Sequence, residues 1–126
     1  MDKIHKEVLG MMGKIDIDCR DERGIVIIEL KGQLDVYNSS ELQKLIDAYI
    51  DRGLLKYVIN LEKVTYLDSS TISIFLYCSQ KLEKINGKFM LAGLTGAPQE
   101  VFEMAKLHEV FELHSDIASA IQSQAS

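Results

Sequence analysis

The sequence contains no tryptophan, one proline and two cysteines among its 126 residues. Cys19 and Cys78 lack the C-x-x-C spacing of redox and metal motifs, so we expect two buried thiols and not a disulfide. The hydrophobic content of 47% is ordinary for a soluble globular protein, and nothing indicates disorder in the body of the chain. The length fits one domain around a single hydrophobic core.

Basic residues are in the minority. The chain has 14 Lys and Arg against 19 Asp and Glu, which gives a net charge of -5 and a pI near 5.1. This balance argues against a nucleic-acid partner, because duplex binding requires a basic face. No apolar run approaches the roughly 20 residues that cross a bilayer, and the first residues carry charges where a signal peptide has an apolar core. We therefore expect a cytoplasmic protein that does not insert into membranes.

Catalytic and metal-binding motifs are also missing. A hydrolase with Ser69 as nucleophile would need the G-x-S-x-G turn, whereas residues 67–71 read LDSST. His5, His108 and His114 have neither ligand spacing nor a cysteine partner, and no glycine-rich phosphate loop occurs. The sequence therefore predicts no enzymatic activity, no metal and no cofactor.

The most informative stretch is residues 56–76, KYVINLEKVTYLDSSTISIFL. Its beginning, 56–61, has the composition of a strand buried on both faces, and a polar linker at 62–66 follows. Asp68 then precedes a segment with helical periodicity, where an aspartate can cap the free N–H groups of the first turn. Three hydroxyl residues form that turn, just beyond a core strand, where α/β proteins usually keep their functional groups. They are Ser69, Ser70 and Thr71.

Strands and helices alternate along the rest of the chain. Residues 14–20 and 24–31 predict an antiparallel hairpin. A helix follows, with Asn38 as its N-cap and Glu41 completing a capping box. The later elements are a strand at 88–94, a helix starting near Pro98, a short strand at 110–113 and a helix starting at Ser115.

This order predicts a single α/β domain. Right-handed βαβ connections imply a mixed, mainly parallel sheet of about five strands with about four helices packed on one face. We place the domain at residues 14–126. Residues 1–13 form an N-terminal extension, for which two interpretations stay open: a loose or helical tail, or a methionine-rich contact with a partner or with a second copy of the chain.

Five motifs in this order resemble the STAS domain family, specifically the bacterial anti-sigma factor antagonists. The strand VINL, a linker and Asp-Ser-Ser before an apolar helix form the main match. The resemblance extends over about residues 14–121 and implies a STAS fold. The other matching pieces are Gly32, Leu34 and Asp35 in a Gly-x-Leu-Asp turn, Leu42 and Leu45 in the next helix, Asn86 and Gly87 before the strand at 88–91, and Leu107 and Phe111 in a Leu-x-x-x-Phe ending.

The resemblance also implies a function in transcription regulation. In the family, an anti-sigma factor that is also a serine kinase binds the unmodified protein and thereby frees a sigma factor. The kinase phosphorylates the first serine after the aspartate, here Ser69, with Ser70 as the second choice. The sequence departs from the family at Thr71 and Ser73, where glycine is usual. The residues expected to contact the partner are Asp35, Asp68, Ser70, Thr71 and Ile72.

Two other interpretations stay open. Asp68 and the serines that follow it are also typical of a well-capped helix without further function, and Asp35 is also typical of a turn. Alternatively, the chain is a STAS subunit of a lipid-transport or stress-sensing complex, in which the serine is not phosphorylated and Thr71 only fills the glycine position. Residues 72–78 are apolar nearly all round the helix, so the side away from the sheet is either covered by a neighbouring helix or left as a docking surface.

Overall fold

The computed structural model describes residues 16–124. Within this range the chain forms a five-stranded sheet and four α-helices, as the sequence predicts. The predicted extension at 1–13 and its boundary with the domain lie outside the described residues. The elements are β1 (Asp16–Glu22), β2 (Ile25–Leu34), α1 (Val36–Asp51), β3 (Lys56–Leu67), α2 (Ser69–Lys84), β4 (Lys88–Ala92), α3 (Gly96–Met104), a 3₁₀ turn (Leu107–Glu109), β5 (Glu112–His114) and α4 (Ile117–Ser123).

The strands follow one another across the sheet in the order β1-β2-β3-β4-β5. β1 and β2 are antiparallel, and every later pair is parallel, which confirms the mixed, mainly parallel sheet. Because each crossover advances by one strand in the same direction and is right-handed, α1, α2 and α3 fall on the same face. They cover the larger core, to which α1 contributes Leu42, Leu45, Ile46 and Tyr49 at the predicted helical spacing.

The prediction that all helices pack on one face is wrong for α4. This helix follows the last strand, so no crossover to a further strand determines its side of the sheet. It packs on the opposite face, over a second apolar cluster. β2, β3 and β4 are therefore buried on both faces, which explains their nearly continuous apolar sequences. The second cluster contains Ile25, Ile27, Val58, Met90, Ala92 and Ala120, with Ile117 and Ile121 against it.

The predicted linker at 62–66 is also wrong, because β3 continues to Leu67 beside β2. The pairing contains two irregularities, each of which adds a residue to β3. Glu29 pairs with Asn60, for example, whereas Lys31 pairs with Lys63. Such bulges interrupt the alternation of buried and exposed side chains, so this part of the strand has the sequence pattern of a loop.

α1 begins earlier than predicted. Its N-cap is Asp35, and the Asn38 side chain, not that of Glu41, completes the capping box by accepting from the Asp35 N–H at 2.8 Å. The reason is that β2 extends to Leu34, so only one residue separates the strand from the helix. α4 likewise begins after Asp116, not at Ser115, because the Asp116 carboxylate accepts from the Ser119 N–H at 2.7 Å.

Candidate functional site

The starts of two helices lie side by side at the carboxyl edge of the sheet. Leu34 and Leu67 end the parallel strands β2 and β3 and are direct partners in the pairing. The next residue in each case, Asp35 or Asp68, is the N-cap of the following helix. The β2 and β3 ends thus bring together two residues that are 33 positions apart in the sequence.

Each aspartate side chain accepts hydrogen bonds from the helix that it caps. The Asp68 carboxylate accepts from the Thr71 N–H at 3.1 Å, which confirms the predicted cap of α2. The Asp35 carboxylate accepts from the N–H groups of Tyr37 at 3.0 Å and Asn38 at 3.1 Å. These bonds hold the first turns in place, so the side chains that the turns carry have defined positions.

The three hydroxyl residues of α2 have different surroundings. Ser69 is exposed and Ser70 is half-buried, whereas Thr71 is fully buried. Within the described part of the chain, no group accepts a hydrogen bond from the Ser69 or Ser70 N–H. An anion on Ser69 would therefore lie next to free N–H donors at the positive end of the helix dipole.

The partner contact predicted for Thr71 stays a prediction, but its side chain is not exposed in this structure. Its Oγ1 donates to the Leu34 carbonyl oxygen at 3.2 Å, with Asp68 Oδ1 at 3.4 Å. Thr71 therefore joins the start of α2 to the end of β2. This role depends on a carbonyl 37 residues away in the sequence, which no local pattern indicates.

The apolar part of the surface differs from the prediction as well. Ile72, Ile74 and Leu76 are partly buried against the larger core, so they offer less exposed area than the helical pattern suggests. Three large apolar residues next to the two caps are instead exposed: Val36 by 51%, Tyr37 by 78% and Tyr66 by 50%. Val36 and Tyr37 follow Asp35 and lie outside the apolar stripe of α1. Both residues precede the predicted cap at Asn38, so the sequence pattern does not indicate that they lie on the surface of a helix.

His5 lies outside the described residues, and the other two histidines lie away from Ser69. His108 and His114 line a cavity near the ends of β4 and β5, and His114 Nε2 is 2.8 Å from Glu112 Oε2. Among residues 16–124, neither is hydrogen-bonded to Ser69, and no group of three potential ligands is placed to hold a metal ion. No helix in this range is both long and apolar enough to cross a membrane.

The two thiols are buried and free, as predicted. Burial raises the pKa of both Cys19 and Cys78 to about 12. A thiol with so high a pKa is almost entirely protonated at neutral pH, and the thiolate is the reactive form. Neither cysteine is therefore suited to nucleophilic chemistry.

Comparison with known proteins agrees with this architecture. The STAS domain model matches residues 16–120. The candidate anti-sigma factor antagonist BtrV of Bordetella bronchiseptica is 27% identical over 98 residues, which cover 78% of this chain and 83% of BtrV. The anti-sigma-B factor antagonist of Staphylococcus aureus is 24% identical over 100 residues, or 79% of this chain and 93% of that protein.

Solved structures share the fold at low sequence identity. A candidate anti-sigma factor antagonist from Thermotoga maritima has a TM-score of 0.79 and 18% identity, covering 85% of this chain and 92% of its own. The Bacillus cell fate determinant SpoIIAA in its phosphorylated form has a TM-score of 0.67 and 23% identity, covering 86% and 97%. A sulfate transporter family protein from Wolinella succinogenes has a TM-score of 0.70 and 15% identity, covering 82% and 87%.

The family model covers nearly all of the described residues, and the solved structures show the same α/β architecture. The paired caps at Asp35 and Asp68 coincide with the motifs on which the sequence resemblance rests. The chain belongs to the STAS domain family.

Proposed function

We propose that the protein is an anti-sigma factor antagonist, which binds an anti-sigma factor with serine kinase activity and thereby frees a sigma factor. Membership of the STAS family and the names of the two relatives support this function. The observation that carries the proposal is the position of Ser69. Its exposed hydroxyl lies at the start of α2, beside N–H groups that no described residue engages.

The proposed switch is phosphorylation of Ser69. The Ser69 hydroxyl oxygen accepts the phosphoryl group. The partner kinase binds the ATP and supplies the catalytic base. A phosphoserine adds a charge of about -1.5 to -2 and three acceptor oxygens at pH 7. The free N–H groups and the helix dipole favour such an anion. The adjacent Asp68 carboxylate and the net charge of -5 oppose it. Since these local effects oppose each other, we expect the fold to change little.

The effect on a docked partner is expected to be larger. A partner surface that fits the small, neutral Ser69 hydroxyl would have to remove water from the phosphate dianion or bring its own charged groups into contact with it. Like-charge contact or an uncompensated buried charge costs several kcal/mol at an interface. Phosphorylation would therefore release the partner without unfolding the domain, as a switch requires.

The exposed residues around Ser69 define the proposed docking surface. Tyr37 and Tyr66 provide the aromatic contact area that commonly anchors protein interfaces, and Val36 adds to it. Asp35 is exposed beside them. Ser70, Asp68 and Ile72 are half-buried and would contact the partner at the edge of this surface.

One observation favours a second candidate function, a STAS subunit of a larger assembly such as a transport or stress-sensing complex. Thr71 is buried and hydrogen-bonded to the Leu34 carbonyl, so it serves as packing in the position where glycine is usual. The likeness to the sulfate transporter family protein is consistent with this candidate at the level of the fold. In such a subunit Ser69 would not be phosphorylated.

Incubation with the candidate serine kinase and ATP, followed by mass spectrometry, distinguishes the two functions. We expect one phosphate on Ser69, none on the Ser69→Ala variant, and normal modification of the matched Ser70→Ala variant. Phosphate on Ser70 would move the switch by one residue. If no candidate kinase modifies the protein and Ser69→Asp binds its partner as the wild type does, the switch is wrong and the assembly subunit remains.

A further inference from the structure

The first described strand begins beside the proposed docking surface. Asp16, the first residue of β1, is paired with Lys31, which lies three residues before the end of β2 at Leu34. β1 runs antiparallel to β2, so the chain enters the sheet at its carboxyl edge. At about 3.3 Å per residue, this entry point lies about 10 Å along the strands from Leu34. The exposed Val36 and Tyr37 follow Leu34 almost directly.

The N-terminal segment, residues 1–15, is long enough to reach this surface. Val8 precedes Asp16 by eight residues, and a connection of that length spans at most about 26 to 29 Å. Tyr66 lies on β3, two strand spacings or about 10 Å from β1. The exposed rings of Tyr37 and Tyr66 are therefore both within reach of an apolar side chain in the middle of the segment.

The apolar residues of the N-terminal segment are spaced for contact on one side. Ile4, Val8 and Met11 recur at i, i+4 and i+7, so they share one face in a helical conformation. Gly10 and Gly13 lower the helix propensity, so a helix this short needs an apolar surface to stabilise it. Methionine adapts to irregular surfaces and contacts aromatic rings favourably, which suits a surface with two tyrosines.

Charge also favours this pairing. Residues 1–15 carry three lysines against Asp2 and Glu7, a net charge of +1, which leaves 11 of the 14 basic and 17 of the 19 acidic residues, or -6, in the rest of the chain. The two caps beside the exposed tyrosines, Asp35 and Asp68, are both carboxylates. Opposite charges steer and orient a contact. The short connection also keeps the local concentration of the segment high, on the order of millimolar.

We propose that the N-terminal segment docks on the surface formed by Val36, Tyr37 and Tyr66 of the same chain. Its apolar stripe covers the exposed side chains, and its lysines lie towards the two capping carboxylates. The segment and the anti-sigma factor then compete for one surface, so the segment lowers the affinity for the partner. This competition rests on the proposed function, whereas the contact within the chain does not.

A spin label near the start of the full-length chain tests the contact. Asp2→Cys provides the attachment site, because Cys19 and Cys78 are buried and their thiols are protonated at neutral pH. We expect the nitroxide to broaden the amide signals of Tyr37 and Tyr66 in the ¹⁵N-labelled protein.

Two neighbouring substitutions in the labelled chain separate docking from proximity through the connection alone. Val8→Ser removes an apolar side chain from the stripe and should reduce the broadening about threefold. Leu9→Ser, the matched control, lies outside the stripe and should leave the broadening unchanged. Undiminished broadening in Val8→Ser would overturn the contact, and an equal loss in Leu9→Ser would overturn the stripe. Broadening of a ¹⁵N-labelled chain by a separate spin-labelled copy would overturn docking within one chain and assign the surface to a second copy.

Isothermal titration with a purified anti-sigma kinase tests the competition. We expect Val8→Ser, in which the surface is free for more of the time, to bind about threefold more tightly than the wild type. Leu9→Ser should bind as the wild type does. Equal affinities of Val8→Ser and the wild type would overturn the competition. Binding by none of the three chains would overturn the proposed function, and the spin-label measurement would still decide the contact.

Discussion

Replacing Thr71 with valine would remove one hydroxyl and leave the shape of the side chain almost unchanged. Thr71 is 0% exposed, and its Oγ1 donates to the Leu34 carbonyl oxygen at 3.2 Å. Valine cannot donate, so Leu34 would lose this bond at a buried position. The substitution therefore isolates the contact that joins the start of α2 to the end of β2.

The expected magnitude follows from the two parts of that loss. A neutral hydrogen bond contributes about 1 kcal/mol net, and a buried polar group left without a partner costs about 1 to 3 kcal/mol. Valine and threonine have similar helix propensities, so the backbone adds little. We expect the free energy of unfolding to fall by about 1 to 2 kcal/mol. Thr71→Gly should lose about 2 to 4 kcal/mol, because it also removes packing and lowers helix propensity.

Urea unfolding followed by far-UV circular dichroism measures these changes, provided that the slope with denaturant stays constant. Ser73→Ala is the control, since Ser73 is an exposed position on the same helix and should change stability by less than about 0.5 kcal/mol. Wild-type stability of Thr71→Val would refute the role of the hydroxyl. A loss equal to that of Thr71→Gly would show that packing contributes nothing measurable.

Three further predictions concern the core, an ion pair and the thiols. Leu45→Ala should lower the free energy of unfolding by about 2 to 5 kcal/mol, because Leu45 is fully buried beneath α1, and a nearly unchanged urea midpoint would contradict this. The Lys63 hydrogen bond at 3.1 Å holds the pKa of Glu29 below its ordinary value of 4.5, so its contribution to stability is present above that value and lost as the pH falls through the lowered folded pKa. The melting temperature of Glu29→Gln should therefore fall less steeply than that of the wild type between about pH 6 and pH 3, whereas parallel curves would argue against the pair. Cys19 and Cys78, with pKa values of about 12, should react with a thiol reagent only after unfolding, and rapid modification of the native protein would show that they are accessible.

Local patterns predicted much of this structure. The spacing of Leu42, Leu45 and Tyr49 identified the buried side of α1, and the position of Asp68 identified the start of α2. These features depend on a few neighbouring residues and on the chemistry of the backbone, so the sequence shows them directly.

Features that depend on distant contacts could not be predicted in this way. Asn38 has a good N-cap sequence, but the extension of β2 to Leu34 placed Asp35 at the cap instead. Two bulges interrupt the alternation of buried and exposed residues in the second half of β3. The burial of Thr71 depends on the Leu34 carbonyl, which only the pairing of β2 and β3 brings near. The sequence therefore predicts the helix start at which the candidate site lies, whereas the burial and contacts of its individual residues depend on the fold.

We propose that phosphorylation of Ser69 releases a bound anti-sigma factor without unfolding the domain. The most direct test is isothermal titration of one purified anti-sigma kinase with the unmodified protein and with protein phosphorylated on Ser69. We expect the phosphorylated form to bind at least about a hundredfold more weakly, a difference of about 2.7 kcal/mol, while its circular dichroism spectrum stays the same. Equal affinity of the two forms, with phosphate confirmed on Ser69, would contradict the claim.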